Sequence, residues 1–375
     1  MDNSISYERY QRQVILKNFC EARQQKLLLA KVLIIGAGGL GCPVLQYLAA
    51  AGVGTMGIVD DDVVTLSNLH RQVLYTVKDI GLLKAARAAA VLEQMNPEIK
   101  IIVYAERLTT QNALSIMNAY DIIIDCTDNF SSRYMINDAC VIVDIPLVYG
   151  AVSQYEGQVA IFNYKKNESD VAVNYRDLFP HPPGENEVLN CAEAGVLGVL
   201  PGIIGTMQAN ETIKLLTGIG TPLINRLLTY NALNNQMYEL ELSARAETRS
   251  LLPVNKAAFA EMDYERLCGS GMQEYEIEYN FFDNLLATGN INVIDVREPD
   301  EIPAIDEFVS YKIPLNQLAE NISLINADTV VTICQSGKRS LQAAKILSNV
   351  FCGSKKIFSL HGGIIQWKQH AKQLQ

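Results

Sequence analysis

Apolar runs alternate with half-polar, helix-periodic runs along the first 240 or so residues. Lys31–Ile35 and residues 56–59 are short, apolar and rich in β-formers, the pattern of strands buried on both faces. Residues 43–51 between them are rich in Ala and Leu and read as a helix. The stretch after Asp60, as far as Gln72, is polar and unperiodic, which predicts a loop. Lys84–Met95 is strongly helical and stops at Asn96-Pro97. Residues 99–104 predict a strand, 112–118 a helix, 120–126 a strand, 131–144 a helix, and 147–149 and 157–162 two more strands. A Gly-rich apolar turn then leads to a helix at 205–216, and 227–240 reads as a hairpin. Residues 7–29, at the front, have helical periodicity. This alternation predicts an α/β fold with a mostly parallel, doubly wound, Rossmann-like sheet.

Two stretches break the pattern. Residues 165–190 are polar, carry Pro180, Pro182 and Pro183, and have little periodicity. A long irregular segment inside a compact domain is usually functional. Residues 246–274 carry no sustained pattern and read as a linker between a domain at 1–245 and one at 275–375. The second domain alternates again, with strands at 276–278, 292–296, Thr329–Ile333 and 357–359. Helices at 281–287, at 341–347 and after Gly363 complete a smaller α/β domain.

Composition narrows the classes. The 375 residues are 49% hydrophobic and 19% charged, ordinary for a globular chain. A net charge of −10 argues against nucleic acid or an anionic membrane surface as the main partner. The first 20 residues hold no apolar signal core, and the uncharged, Gly- and Pro-containing stretch 194–207 is too short to span a bilayer. Eight scattered cysteines without a CxxC pair predict a reducing, cytoplasmic setting.

The first strand ends in Gly36-Ala-Gly38-Gly39-Leu-Gly41, and Asp60 follows the last glycine by 19 residues at the end of the next strand. This is the strand–glycine loop–helix–strand–acid pattern of a nucleotide-binding unit. Glycines let backbone N–H groups approach phosphate oxygens, the helix N-terminus favours the same anion, and the acid accepts from ribose hydroxyls. Tight strand–helix packing is the plain alternative for a glycine motif by itself. Arg12, Arg71 and Lys84 with Asn68 add cations suited to a triphosphate rather than to a dinucleotide. Asp128, at a later strand end, suits Mg²⁺ through oxygen. The implied reaction is attack by a carboxylate on the α-phosphate of ATP.

In the second domain Cys334 stands between a strand and a helix, in Cys334-Gln335-Ser336-Gly337-Lys338-Arg339-Ser340. The expectation is that loop N–H groups, the helix N-terminus, Lys338 and Arg339 lower the thiol pKa, giving a site for a thiolate or persulfide. A structural Cys at a strand end is the plain alternative.

Residues 1–245 resemble the MoeB/ThiF family, bacterial relatives of ubiquitin-activating enzymes. The motifs are Arg9-Tyr-Gln-Arg12-Gln13, Gly36–Gly41, Asp60-Asp-Asp62, Ser67-Asn68-Leu-His-Arg71-Gln72, Lys84, Cys126-Thr-Asp128-Asn129 and Cys191-Ala-Glu-Ala-Gly195. Residues 275–375 resemble a rhodanese-like domain through Asp295-Val-Arg297-Glu298, the Cys334 loop and His361-Gly362-Gly363 with Trp367. The resemblance implies ATP-dependent adenylylation of the C-terminal carboxylate of a small ubiquitin-like sulfur carrier ending in Gly-Gly. Sulfur from a Cys334 persulfide then gives a thiocarboxylate. Asp60 would bind ribose; Asn68, Arg71 and Lys84 the phosphates; Asp128 Mg²⁺. By the same motifs Asp62, Gln72 and Asn129 join the nucleotide site, Arg12 reaches the partner subunit of a homodimer, and Cys191 takes part in sulfur or acyl transfer. The sulfur donor is thiosulfate or a desulfurase persulfide, and the carrier's pathway stays open among molybdopterin, thiamine, cysteine and siderophore assembly.

One departure stands out. Relatives often hold zinc through two CxxC pairs, but here the positions read Asn174-Tyr175-Arg176-Asp177 and Cys268-Gly269-Ser270-Gly271. One thiolate of four predicts no zinc. Two other readings compete. An NAD-dependent oxidoreductase explains Gly36–Gly41 and Asp60 but not Arg71, Lys84 and Asp128. A non-catalytic carrier-binding scaffold leaves the intact Cys334 loop without purpose.

Overall fold

A computed structural model describes residues 7–165, 167, 171–183, 195–268 and 275–373. The chain divides into two compact units, Met1–Cys268 and Gly269–Gln375.

The first unit is built on one eight-stranded sheet. Its strands are β1 (Lys31–Ile35), β2 (Thr55–Val59), β3 (Lys100–Tyr104), β4 (Ile122–Asp125), β5 (Leu147–Ser153), β6 (Glu156–Phe162), β7 (Arg226–Asn231) and β8 (Gln236–Glu241), in the order β3-β2-β1-β4-β5-β6-β7-β8. The first five in that order pair in parallel; β6, β7 and β8 add antiparallel. The order reverses between β1 and β4, where an open α/β sheet forms its ligand crevice at the carboxyl ends of the strands. Each central strand serves two cores. Val32 and Ile34 of β1 face one cluster with Leu45, Leu48 and Ile204, while Leu33 and Ile35 face another with Met117, Tyr134 and Phe259. That double burial is why the strand has no polar face to show in the sequence.

The helices are α1 (Tyr7–Val14), α2 (Cys20–Leu29), α3 (Gly41–Ala51), α4 (Lys84–Met95), α5 (Ala113–Met117), α6 (Phe130–Val143), α7 (Tyr175–Leu178) and α8 (Val199–Thr217), followed by α9 (Lys256–Ala260) and α10 (Tyr264–Leu267). Three findings differ from the sequence expectations. Residues 7–29 are two helices, broken where Asn18 and Cys20 take left-handed backbone angles. Helix α8 starts six residues before 205, through the supposed turn. Pro201 sits in its first turn, where no N–H is needed, and a side chain at Gly205 would lie 2.3 Å from Leu40 O. Gly205 thus permits close helix packing, whereas a Cβ at Gly202 would meet nothing within 4 Å.

The third difference concerns 246–274. Its described part, up to Cys268, is folded onto the first unit. Phe259 and Tyr264 are buried, the Tyr264 hydroxyl donates to Asp138 Oδ2 at 2.9 Å, and the Thr248 hydroxyl donates to Asp177 Oδ1 at 2.5 Å. Of the irregular 165–190 segment, residues 165, 167 and 171–183 are described, the last run containing α7; the others lie outside the described residues.

The second unit is a five-stranded, all-parallel sheet, β11-β10-β12-β13-β9, from β9 (Glu276–Ile277), β10 (Ile291–Asp295), β11 (Tyr311–Lys312), β12 (Thr329–Ile333) and β13 (Lys356–Leu360). Helices α11 (Tyr279–Thr288), α12 (Lys338–Phe351) and α13 (Gly363–Gln373) cover it. Strand β11 is two residues long and left no signal in the sequence. Among the described residues no helix is long and apolar enough to cross a membrane.

Candidate nucleotide site and sulfur loop

The glycine loop joins β1 to α3 at the switch point. Gly36 has φ +96°, and a Cβ there would fall 2.8 Å from Cys126 O at the end of β4, so only glycine lets the two strand ends meet. Asp60, at the end of β2, anchors the loop. Its Oδ2 accepts from Ala37 N at 2.7 Å and its Oδ1 from Asp62 N at 2.9 Å. Burial pushes its carboxyl above the ordinary value, against the pull of Lys84 and of those two N–H groups. Among the described residues the N–H groups of Gly38 and Gly39 have no protein partner. They stand just ahead of the α3 N-terminus, where an anion is favoured.

Around this loop the polar stretch after Asp60 wraps in short turns. Asn68 closes a 3₁₀ turn, and its carbonyl accepts from both Arg71 N and Gln72 N at 3.0 Å. The Arg71 stem lies against the loop, its Cδ 3.5 Å from where a Gly39 Cβ would be. The Arg71 guanidinium donates to Ser67 O at 3.1 Å and lies 2.8 Å from His70 Nε2. Gln72 is buried, with Nε2 3.5 Å from a Cβ at Gly38 and Oε1 without a partner among the described residues. Lys84 is the first residue of α4, and its nearly buried Nζ donates to Asp62 Oδ2 at 2.7 Å.

Tyr75, which the sequence did not single out, ties these parts together. Its hydroxyl donates to Ala37 O at 2.8 Å and lies 3.3 Å from Lys84 O, joining the glycine loop to α4. An aromatic in a polar loop was the available signal.

At the end of β4, Asp125 is buried and accepts from Thr127 N at 2.9 Å and Thr127 Oγ1 at 2.7 Å, shaping the turn that carries Asp128. Asp128 is exposed, and no described residue engages its carboxylate. Asn129 acts as the α6 cap: its Oδ1 accepts from Ser132 N and Ser131 Oγ, both at 2.9 Å. Arg12 is not brought to this loop. It sits on α1 beside Gln13, whose amide donates to Ala51 O at 3.3 Å, at the far end of the 11-residue α3. That helix puts about 16 Å between its two ends. Cys191 lies outside the described residues.

The positions of the family's CxxC pairs hold a buried polar knot. Arg176 donates to both oxygens of Asp138, Nε to Oδ1 at 2.8 Å and a terminal nitrogen to Oδ2 at 2.7 Å; the two side chains are 2% and 0% exposed. Asn174 and Asp177 cap each other across the first turn of α7, with Asn174 N donating to Asp177 Oδ2 at 2.9 Å. Burial pushes the Cys268 thiol up to about 12, with Glu265 adding to the effect. Residues 269–271 lie outside the described residues.

In the second unit Cys334 directly follows β12 and is fully buried. Gly337, at φ +94°, turns its N–H back onto Cys334 Sγ at 3.2 Å, and the thiol lies 3.4 Å from Ser340 Oγ. The first turn of α13 closes the loop from the other side, Ile364 N donating to Cys334 O at 2.8 Å and Ile365 N to Gln335 O at 3.3 Å. Ser336 and Lys338 are exposed. Arg339 is turned to Glu301, its two terminal nitrogens donating to the two carboxylate oxygens at 2.5 and 2.6 Å. Arg297 pairs with Asp295 and donates to Pro303 O at 2.8 Å.

The family model described as the ThiF family matches residues 10–251. The chain belongs to the ThiF family. A rhodanese-like domain model matches residues 279–370. The sulfur carrier protein adenylyltransferase of Thermus thermophilus is 46% identical over 263 residues, 70% of this chain and 96% of that protein. A probable adenylyltransferase/sulfurtransferase, MoeZ, of Mycobacterium tuberculosis is 39% identical over 98% of this chain and 93% of its own length. The Xenopus laevis adenylyltransferase and sulfurtransferase MOCS3 is 36% identical over 96% of this chain and 86% of its own. Among solved structures, Escherichia coli MccB with a succinimide shares the fold, with a TM-score of 0.54 at 21% identity over 64% of this chain and 72% of that one. This ThiF-family chain therefore combines an adenylyltransferase unit with a sulfurtransferase unit. Nothing in these likenesses favours an oxidoreductase or a non-catalytic scaffold.

Proposed function

We propose that the chain uses ATP to adenylylate the C-terminal glycine carboxylate of a small ubiquitin-like sulfur-carrier protein and then delivers sulfur to it from Cys334. The gathering at the carboxyl ends of the strands of the Gly38 and Gly39 N–H groups, without partners among the described residues, with Arg71 and Lys84 carries this reading. The carrier carboxylate attacks the α-phosphorus and pyrophosphate leaves. Arg71 and Lys84 stabilise the charge that moves onto the leaving group, and Lys84 exchanges Asp62 for phosphate oxygens to do so. Asp60 retains acceptor capacity for a ribose hydroxyl, and the exposed Asp128 would hold Mg²⁺, which would supply Lewis-acid neutralisation of the phosphates.

A homodimer fits the placement of α1. Arg12 lies a helix length from its own chain's glycine loop, so a role at the nucleotide calls for the loop of a second copy. Cys191, in the family motif, takes part in sulfur or acyl transfer. Joining the sulfurtransferase unit to the same chain raises the effective concentration of its persulfide at the adenylate. Thiosulfate or a protein persulfide supplies the sulfur, in a cytoplasmic, reducing setting. Zinc does not suit the residues at 174–177: the guanidinium at their centre repels a divalent cation, and the Asp177 oxygens already accept from Asn174, Arg245 and Thr248. One zinc per purified chain by metal analysis would overturn that point.

Carrier-dependent ATP–pyrophosphate exchange tests the central reading. Exchange that needs a carrier ending in Gly-Gly, and is lost when its last glycine is removed, is the expected result. Reduction of a nicotinamide cofactor without such exchange would refute it.

A further inference from the structure

Two arginines beside the sulfur atom's loop are already engaged. Arg297 is 4% exposed and spent on Asp295 and Pro303 O. Arg339 stands close enough to Cys334 for the two to feel each other's charge, yet both of its terminal nitrogens are held by Glu301. Glu301 is no chance partner. It sits at the end of a turn in which Glu298 N donates to Glu301 Oε1 at 2.9 Å and Glu301 N donates to Glu298 O at 3.1 Å. The adjoining residue is tied to the same loop, with Gln335 Nε2 donating to Ile302 O at 3.4 Å.

This arrangement bears on which donor loads the sulfur, and it rests on the reading of Cys334 as the acceptor. Thiosulfate is a dianion. To bring its outer sulfur to Cys334, its sulfonate end needs a cation, and a two-pronged Arg is well matched to such an oxyanion. A persulfide donor carries its terminal sulfur on an organic thiol and has no sulfonate to neutralise. The geometry points to Glu301 as a specificity-determining residue: by occupying Arg339 it handicaps sulfonate-bearing donors and leaves Cys334 set for persulfides.

Both loading steps balance without a further reagent. The Cys334 thiolate attacks the outer sulfur of thiosulfate, the S–S bond breaks, and the electron pair leaves on sulfite. With a persulfide the same attack sends the pair to the donor thiolate. Glu301 touches no reacting atom; it acts through Arg339. Its carboxyl, held down to about 2 mainly by the Arg339 hydrogen bonds, stays charged at any working pH, so the pair is opened by competition rather than by protonation.

The test uses the full chain with Glu301→Gln, Arg339→Gln and the double variant. Cys334 is loaded from thiosulfate or from glutathione persulfide, with cyanide as acceptor. Glu301→Gln is expected to lower KM for thiosulfate by about tenfold, the size of one charge-assisted hydrogen bond, with kcat and the persulfide reaction unchanged. The gain is expected to vanish in the double variant. An unchanged or higher thiosulfate KM in Glu301→Gln overturns the proposal. So does an equal loss with both donors accompanied by a lower Tm, which marks a pair that only holds the loop in shape. Loading of Cys334 by neither donor, in any variant, would overturn the acceptor reading and this proposal with it.

Discussion

The glycine loop after β1 and the cysteine loop after β12 are the same backbone device put to opposite uses. Each comes after a parallel strand, turns on a glycine with φ near +95°, and feeds a helix. In the first, Asp60 takes the Ala37 N–H and the next two N–H groups are left for an outside anion. In the second, the Gly337 N–H is spent on the loop's own sulfur, and α13 seals the carbonyl side. An open cradle binds a ligand that arrives charged. A closed one holds a side chain whose charge it must tolerate. The difference lies in the residues at the strand's exit: glycines in one, a thiol in the other.

Four measurements break or sharpen that contrast. Cys334→Ser is expected to abolish thiocarboxylate formation while ATP–pyrophosphate exchange continues; thiocarboxylate formed by this variant would show that the closed loop is dispensable. Lys84→Ala is expected to cut exchange by roughly 10²–10³-fold, the usual cost of one electrostatic donor, without changing sulfur transfer from thiosulfate to cyanide. Loss of both activities would mean that Lys84 serves stability. Next comes Gly36→Ala. A left-handed backbone and a Cβ 2.8 Å from Cys126 O are expected to cost about 1–3 kcal/mol, read as a lower Tm and weaker ATP binding. An unaltered Tm would show that the strand ends yield easily.

The smallest effect is in pH. The folded-state pKa of Glu301 is depressed to about 2 from its ordinary 4.5, so its contribution to stability is present above about 4.5 and is lost as pH falls toward 2. Trp367, the chain's one tryptophan, packs against Phe282 and Phe308 and reports on this unit alone. Its unfolding curve is expected to lose stability over that window in the parent chain and less so in Glu301→Gln; identical acid profiles would show the pair contributes nothing.

Much of this was written locally in the chain. Lys84–Met95 and Thr329–Ile333 fall where periodicity and apolar runs put them, because Asn96-Pro97 stops one and burial on both faces marks the other. Arg71, Gln72 and Lys84 were legible as a cluster because their spacing, after a strand-end acid, is itself local. What escaped depends on contacts far apart in sequence. The start of α8 reads as a turn until Leu40 O is seen against Gly205. Residues 246–268 have no period because Asp138 and Asp177, over a hundred and about seventy residues earlier, hold Tyr264 and Thr248. Glu301 looks like a surface acid until Arg339 folds onto it. The expectation that Arg339 points its charge at the sulfur missed that partner for the same reason.

The Arg176–Asp138 clasp has one more consequence. The chain carries a sulfurtransferase unit, and sulfur-transfer chemistry exposes thiolates to oxidation and to capture as mixed disulfides. A guanidinium and a carboxylate offer such reagents nothing to react with, and burial holds two thiols that feel the Asp138 charge protonated, Cys268 up to about 12 and Cys140 well above the ordinary value. This part of the first unit is thus held together by atoms inert to the reactions a sulfurtransferase performs.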